Sequence, residues 1–471
     1  MSPVPTVGKL FIGGEWTDAT DGGTLTLENP STGETIGAIA AARRADIDLA
    51  VAAAESALQS DWGGLTAAER GRLLADIGRA VAGQVETLAR IEATDVGKPL
   101  QQARADALAL ARYLEFYAGA ADKFHGETIP YLNDYTVYTL REPHGVTAHI
   151  IPWNYPMQII GRSVIAALAT GNAAVLKPAE EACLTALEFA RIASEAGLPA
   201  GALNVVPGTG DEAGAALAGH AGVNHVSFTG STDVGVAVQV AAAQNTVPVT
   251  LELGGKSPQL VFDDADLDAA LPYLVNAGIQ NAGQTCSAGS RILVQRAVYD
   301  QLVEQLADRF AALRVGPALA DPDVGPLISA KQRGRVLDYV AHGRDSGLEI
   351  AAEGALVSDA PAEGHYVRPT LFVDVDPDHR LAHEEIFGPV VVVIPFDTEA
   401  EARYIANGAG YGLVAGVWTS NGARQMRLAR QLRAGQVIIN KYGAGGGVEL
   451  PFGCVGRSGH GREKGFEALN G

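Results

Sequence analysis

The sequence predicts an α/β protein built on doubly wound parallel sheets, each covered on both faces by helices. Short strand-like apolar runs alternate with helical stretches from Gly145 to the helix opening at Asp233, with short loops between them. A second alternation of the same kind starts after Glu252-Leu253-Gly254-Gly255. Composition agrees: 47% hydrophobic and 19% charged residues, with 56 Gly and 23 Pro, describe packed domains rather than a fibre or a disordered chain. A length of 471 residues suits about three domains of roughly 150 residues each.

Asp46 to Ala121 reads as successive amphipathic helices, with Ala, Leu and Arg at helical spacing and breaks at Asp61-Trp62-Gly63-Gly64 and Gly97-Lys98-Pro99. Tyr135 to Leu140 alternates like a strand, and Val146 to Ile151 reads as a buried strand closed by Pro152. Strands at Ala173–Leu176, Leu203–Val206 and His225–Phe228 follow, interleaved with helices at Thr185–Ala196, near Ala213–Ala218 and from Asp233. The second stretch carries a helix from Asp266, a strand at Arg291–Val294, a helix at Val298–Leu313 and an apolar run at Val390–Ile394. A strand at Val437–Asn440 then leads into Gly443-Ala444-Gly445-Gly446-Gly447, too rich in glycine to be anything but a loop. No internal repeat or low-complexity tether separates these parts.

A net charge of −19 argues against nucleic acid or anionic lipid as a partner. Met1 to Trp16 holds one Lys and no apolar h-region, and no segment is long and apolar enough to span a membrane, so no membrane partner and a cytoplasmic location are expected. The three cysteines, Cys183, Cys286 and Cys454, form neither a disulfide framework nor a zinc spacing. His383-Glu384-Glu385-Ile386-Phe387 lacks the second His of a zinc helix and no G-x-S-x-G elbow occurs, so neither a metal site nor a serine hydrolase is expected.

Several segments carry chemistry beside a structural alternative. Gly208-Thr209-Gly210-Asp211-Glu212-Ala213 matches a dinucleotide pattern between a strand and a helix, and equally a plain helix-opening turn. Phe228-Thr229-Gly230-Ser231-Thr232-Asp233-Val234-Gly235 is the better phosphate turn, because Ser231 adds a hydroxyl donor to the helix N–H groups. Lys177-Pro178-Ala179-Glu180 closes a strand where a Lys could reach ribose or phosphate oxygens and a Glu could accept from ribose hydroxyls; a solvated charge pair is the alternative. Cys286 sits among small residues in Gly283-Gln284-Thr285-Cys286-Ser287-Ala288-Gly289, open to a substrate or simply a buried thiol. Glu252 projects at a tight Gly-Gly turn where apolar neighbours would raise its pKa toward that of a general base. Asn154 stands between Pro152 and Pro156, suited to an oxyanion donor or to a turn.

Together these segments resemble the aldehyde dehydrogenase superfamily, NAD(P)-dependent and non-acylating. The order agrees along nearly the whole chain: Pro152–Pro156, Lys177–Glu180, Phe228–Gly235, Glu252–Pro258, Gly283–Gly289, Glu384–Pro389 and Pro451–Gly453. Glu-Leu-Gly-Gly-Lys followed by Gly-Gln-x-Cys at the family's separation is the most specific element. The resemblance implies a nucleotide-binding domain (1–123 and 143–253), a catalytic domain (254–445) and a β-rich oligomerisation arm (124–142 and 446–471) in a homodimer or homotetramer. It departs at two places. Cys454 replaces the usual second Gly of Pro-Phe-Gly-Gly, and relatives continue past Gly461–Phe466 into a further strand pairing across subunits, whereas this sequence stops at Gly471 and keeps the Asn133–Leu140 arm.

By similarity, Cys286 is the nucleophile, Glu252 the general base, and Asn154 with the Cys286 N–H the oxyanion hole, with no metal required. Lys177 and Glu180 would hold the adenosine ribose of NAD, Ser231 the pyrophosphate and Glu385 the nicotinamide ribose, with Phe387 packing nearby. Ile151, Pro152, Trp153, Gly210, Phe228, Gly230, Val234 and Leu253 would complete the cofactor groove, Gly210 lying near it without forming the main phosphate turn. Tyr155, Arg162, Thr285 and Ser287 would line the tunnel for a small-molecule aldehyde. Arg162 could grip the carboxylate of a semialdehyde acid, while the bare Gly443–Gly447 loop suggests room for a bulky or aromatic aldehyde. Glu180 favours NAD because its charge would repel a 2′-phosphate, leaving NADP as a secondary cofactor. Acylating dehydrogenation and a non-catalytic structural relative are the competing readings, and the presence of both Glu252 and Cys286 argues against them.

Overall fold

The computed structural model describes residues 8–443 and 447–470. Two sheets, each with its own apolar core, organise the chain. The first sheet contains β1 (Leu10–Ile12), β2 (Glu15–Thr17), β3 (Val146–Ile150), β4 (Ala173–Lys177), β5 (Leu203–Val205), β6 (His225–Thr229) and β7 (Val249–Glu252). The second contains β8 (Pro258–Val261), β9 (Arg291–Gln295), β10 (Glu349–Glu353), β11 (Thr370–Val373), β12 (Val390–Phe396), β13 (Val414–Trp418) and β14 (Gln436–Ile439). A last short strand, β15 (Gly459–His460), returns to the first sheet.

The first sheet runs β2-β1-β5-β4-β3-β6-β7-β15, with β5 through β7 parallel and the flanking strands antiparallel. Every residue of β3, β4, β5 and β6 is buried, which explains their continuous apolar runs: helices on both faces leave no solvated side to alternate toward. Strand order reverses between β3 and β6, so the loops leaving their carboxyl ends diverge and open a crevice, the place where a doubly wound sheet takes its ligand. Those two loops are Ile151–Asn154 and Gly230–Ser231. The second sheet runs β10-β11-β12-β9-β8-β13-β14 and is parallel except for β10.

Helices at Arg44–Leu58, Ala67–Ala82, Val85–Asp95 and Leu100–Ala120 occupy the expected N-terminal stretch. Thr66 caps the second of them in a reciprocal box with Glu69, a device worth about 1 kcal/mol. The sequence reading missed the antiparallel pair Thr24–Asn29 and Glu34–Ala40, although Thr24-Leu25-Thr26-Leu27-Glu28 alternates polar and apolar residues as a half-buried strand does. The helix expected near Ala213–Ala218 is present, and it opens earlier, as a wide π-type turn at Gly210–Gly214 that continues into a single α-turn at Ala215–Ala218.

Thr128–Ile129 and Val137–Tyr138 form a two-stranded hairpin that leaves Tyr131, Leu132, Tyr135, Tyr138 and Leu140 exposed. The chain after residue 447 behaves differently. Phe452–Gly453 pairs with Arg462–Glu463, and β15 pairs with Leu251 and Glu252 of β7, carrying this segment to the edge of the first sheet. Of the glycine loop, residues 444–446 lie outside the described residues. Among the described residues no helix is long and apolar enough to cross a membrane.

Candidate active site

The segment that leads to Cys286 follows the helix Leu267–Ile279 and enters a conformation that ordinary residues avoid. Asn281 and Ala282 take φ of 50° and 54°, and Gly283 follows at 73°. Left-handed non-glycine residues cost about 1–3 kcal/mol each and persist only where surrounding contacts fix them. Here they do. Gln102 accepts from the Asn281 N–H at 2.9 Å, the Asn281 amide donates to the Asn154 carbonyl at 2.9 Å, and the Gln284 amide donates to the Asn281 carbonyl at 3.0 Å. Ile328 N–H donates to Gln284 Oε1 at 2.9 Å. A side chain at Gly283 would meet the Gly388 carbonyl at 2.1 Å, so glycine alone allows the Glu384–Pro389 loop to close over this segment.

Asn154 Nδ2 donates to the Gln284 carbonyl at 2.8 Å. An amide carries two N–H donors, so this bond fixes the side chain beside the Gln284–Cys286 backbone and leaves a second N–H donor available. Tyr155 shares a 2.9 Å hydrogen bond with the Thr285 hydroxyl, and its ring lies under the Lys98 ammonium at 4.0 Å. Lys98 is wholly buried and paired with Glu92 and Asp106, while Asp106 also accepts from Gln158 at 2.8 Å. The Gly97-Lys98-Pro99 helix break thus supplies a buried ion cluster behind Tyr155, which the sequence reading passed over.

Glu252 ends β7, and the Gly-Gly after it permits two close approaches. A Cβ on Gly254 would meet Glu385 Oε2 at 2.2 Å, and one on Gly255 would meet the Cys286 carbonyl at 2.6 Å. The Gly255 N–H in turn donates to Glu385 Oε1 at 2.9 Å. Burial raises the Glu385 carboxyl to about 7 against that hydrogen bond. Phe387, at a positive φ of 60°, sets its ring edge-on to Trp153 with centroids 5.3 Å apart.

These elements converge on a cavity of about 240 Å³. Of the residues singled out from sequence, Pro152, Trp153, Asn154, Tyr155, Arg162, Gly230, Ser231, Thr285, Cys286, Ser287, Glu385 and Phe387 line it. Tyr113, Gln158, Ile159, Gln332, Phe452 and Lys464 line it too, and sequence reasoning missed them. Gln158 and Ile159 fall one helical turn beyond Asn154, a signal that was available; Tyr113 lies on a helix with no local motif. Ile151, Lys177, Glu180, Gly210, Phe228, Val234, Glu252 and Leu253 are not part of the cavity wall. Lys177 ends β4 and pairs with Glu180 at 3.0 Å. Ser231 caps the helix Thr232–Ala243, accepting from the Val234 N–H.

Arg162, Arg462 and the carboxyls of Glu252, Glu385 and Glu463 set the electrostatics. Arg162 is ion-paired with Glu463, donates to Thr229 Oγ1 at 3.2 Å and stacks over Phe452 with 4.9 Å to the ring centroid. Burial pushes the Cys286 thiol up to about 11, with Arg162 pulling it back down and the Glu385 and Glu252 carboxylates adding to the rise. Burial, reinforced by Glu463, holds the Glu252 carboxyl well above the usual range, while Arg162 and Arg462 oppose it. A sulfur beside an amide donor, with a buried carboxyl of raised pKa nearby, is equipped for attack on an electrophilic carbon and for proton transfer from water.

The aldehyde dehydrogenase family model matches residues 16–471. The chain belongs to the aldehyde dehydrogenase family. An aldehyde dehydrogenase of Emericella nidulans is 43% identical over 98% of this chain and 92% of its own length. A crystal structure of a provisionally assigned aldehyde dehydrogenase from Burkholderia cenocepacia superposes with a TM-score of 0.97 at 64% identity, covering 98% of this chain and 97% of that one. The NAD+ complex of an aldehyde dehydrogenase from Bacillus cereus gives a TM-score of 0.95 at 43% identity, covering 98% of this chain and 94% of that one. This aldehyde dehydrogenase therefore has the family's paired α/β sheets, with the cavity at the switch point of the first.

Proposed function

We propose that this chain oxidises an aldehyde to a carboxylic acid with NAD, through a thiohemiacetal and then a thioester on Cys286. The observation that carries the reading is that Cys286, Asn154, Ser231 and Glu385 face one cavity. The residues fit NAD: Ser231 and the first-turn N–H groups of a twelve-residue helix suit a pyrophosphate, Lys177 with Glu180 one ribose, and Glu385 the other. Bound there, NAD supplies the hydride acceptor.

The protein's own groups do the rest. The Cys286 thiolate adds to the aldehyde carbon, and Asn154 Nδ2–H with the Cys286 N–H stabilises the oxyanion, each donor worth about 3 kcal/mol in a dry site. Loss of hydride leaves the thioester. Glu252 takes a proton from water, the hydroxide adds to the acyl carbon, and the C–S bond breaks to release the acid and the thiolate.

Tyr113, Ile159 and Phe452 make the inner wall apolar, and Arg162 is already engaged by Glu463 and Thr229, so a bulky or aromatic aldehyde fits better than a semialdehyde acid. The domain division given above, and a homo-oligomer using the exposed Thr128–Tyr138 hairpin, belong to the same reading. The test is NADH formation by the purified protein across an aldehyde panel, with mass spectrometry of the Glu252→Gln variant to trap acyl-Cys286. An acyl group on Cys183 or on none of the cysteines overturns the mechanism. Glu180→Ser should raise the NADP to NAD ratio of kcat/KM; an unchanged ratio removes Glu180 from cofactor choice.

A further inference from the structure

Two neighbouring side chains of the loop after β3 hold two neighbouring residues of the segment that ends at Cys286. The Asn154 amide donates to the Gln284 carbonyl at 2.8 Å, and the Tyr155 hydroxyl meets the Thr285 hydroxyl at 2.9 Å. Counting protons gives the second bond its direction. Thr285 Oγ1 donates its single proton to the Gln280 carbonyl at 3.2 Å, so the phenol is the donor to Thr285. Burial holds the Tyr155 phenol well above its usual pKa, and it keeps that proton through the neutral range. What aims the phenol lies behind it. Lys98 is wholly buried, does not line the cavity, and sets its ammonium 4.0 Å from the Tyr155 ring centroid. Glu92 and Asp106 fix that ammonium from the helices Val85–Asp95 and Leu100–Ala120. Because Asp106 also accepts from the Gln158 amide, one buried cluster touches the turn 155–158 at both ends.

We propose that Lys98 is a positioning residue for the nucleophile: its ammonium fixes the Tyr155 ring, whose hydroxyl fixes Thr285 and so the direction in which the Cys286 sulfur meets the aldehyde. The inference rests on the reading of Cys286 as the nucleophile. A desolvated cation over an aromatic face is drawn to it, and a ring held in this way keeps its hydroxyl at one place. The contacts run from the N-terminal helices to the residue before Cys286 without passing through a ligand. Lys98 therefore acts on the rate of attack and not on binding.

The experiment measures first-turnover NADH formation with the full-length enzyme and its Tyr155→Phe, Lys98→Met and double variants. It reads the limiting rate constant at saturating aldehyde and NAD, and the concentration of each that gives half of it. Each single variant should lower the limiting rate about tenfold, and Lys98→Met should leave both half-saturating concentrations within about twofold of the parent. Both changes act through one hydrogen bond, so the double variant should fall no more than about twofold below the slower single variant. Losses that multiply to about 100-fold, a parent rate in either single variant, or a Lys98→Met defect confined to half-saturation overturn the proposal. Lys98→Met leaves two buried carboxylates without their cation. Should it fail to fold, Glu92→Gln/Lys98→Met/Asp106→Asn removes all three charges with little change of shape and carries the same comparison, with and without Tyr155→Phe. A Cys286→Ala variant that forms NADH at the parent rate refutes the nucleophile reading and the proposal with it. A rate that needs Cys286 but not Lys98 refutes the proposal alone.

Discussion

The two halves of the site are built on opposite principles. The segment around Cys286, residues 280–287, is overdetermined: three successive left-handed residues are pinned by Gln102, Asn154, Gln284 and Ile328. Glu252 has no side-chain hydrogen-bond partner among the described residues, and the nearby Glu463 carboxylate adds to the rise of its pKa. Rigidity suits a sulfur that must meet a carbonyl at one angle beside a fixed oxyanion donor. Under the proposed mechanism, looseness suits a carboxylate that acts only in hydrolysis, since a side chain with no strong bond is free to turn toward water.

Breaking each half separates the two roles. Cys286→Ala should lower NADH formation on the order of 10³-fold or more, with no acyl-enzyme detected. Glu252→Gln should leave the first turnover's NADH burst in place and lower steady-state kcat by about 10²–10⁴-fold, because it removes only the proton acceptor for water. Loss of the burst itself in Glu252→Gln would move Glu252 into the acylation step and erase the contrast. Asn154→Ala should cost about 10²–10³-fold in kcat and lower the melting temperature as well, since the same amide supports the oxyanion and anchors the Gln284 carbonyl. An unchanged melting temperature would show that the strained segment does not depend on Asn154.

What was legible in the sequence follows the same division. Buried parallel strands write themselves as short apolar runs, so β3, β4, β6 and β9 were visible to within a residue or two. The site residues that were found lie within contiguous segments, each shaped by a local constraint such as the Gly-Gly after Glu252 or the Gln-Thr-Cys run. The missed partners are distant in the chain. Nothing near Arg162 announces Glu463, and nothing near Lys98 announces that its pairs support Tyr155. Sheet pairing brings them together: β15 against β7, and Phe452–Gly453 against Arg462–Glu463. Contacts of that kind come from tertiary registration, which single-sequence periodicity does not encode.

The smallest effect bears on how the rigid half is tuned. A thiol raised to about 11 is almost wholly protonated at neutral pH, and the thiolate is the reactive form. Below that pKa the thiolate fraction grows about tenfold per pH unit, so alkylation of Cys286 by iodoacetamide should keep rising through pH 9 and 10. An ordinary cysteine, with a pKa of about 8.5, would already be levelling off there. Arg162 opposes the rise, so Arg162→Met should slow alkylation at any fixed pH below the plateau while also stripping Glu463 of its buried partner. A plateau by pH 9 in the parent enzyme would mean that the cavity stabilises the thiolate more strongly than burial disfavours it. The segment's rigidity would then serve to aim an already ionised sulfur, and the proton would have left before the aldehyde arrived.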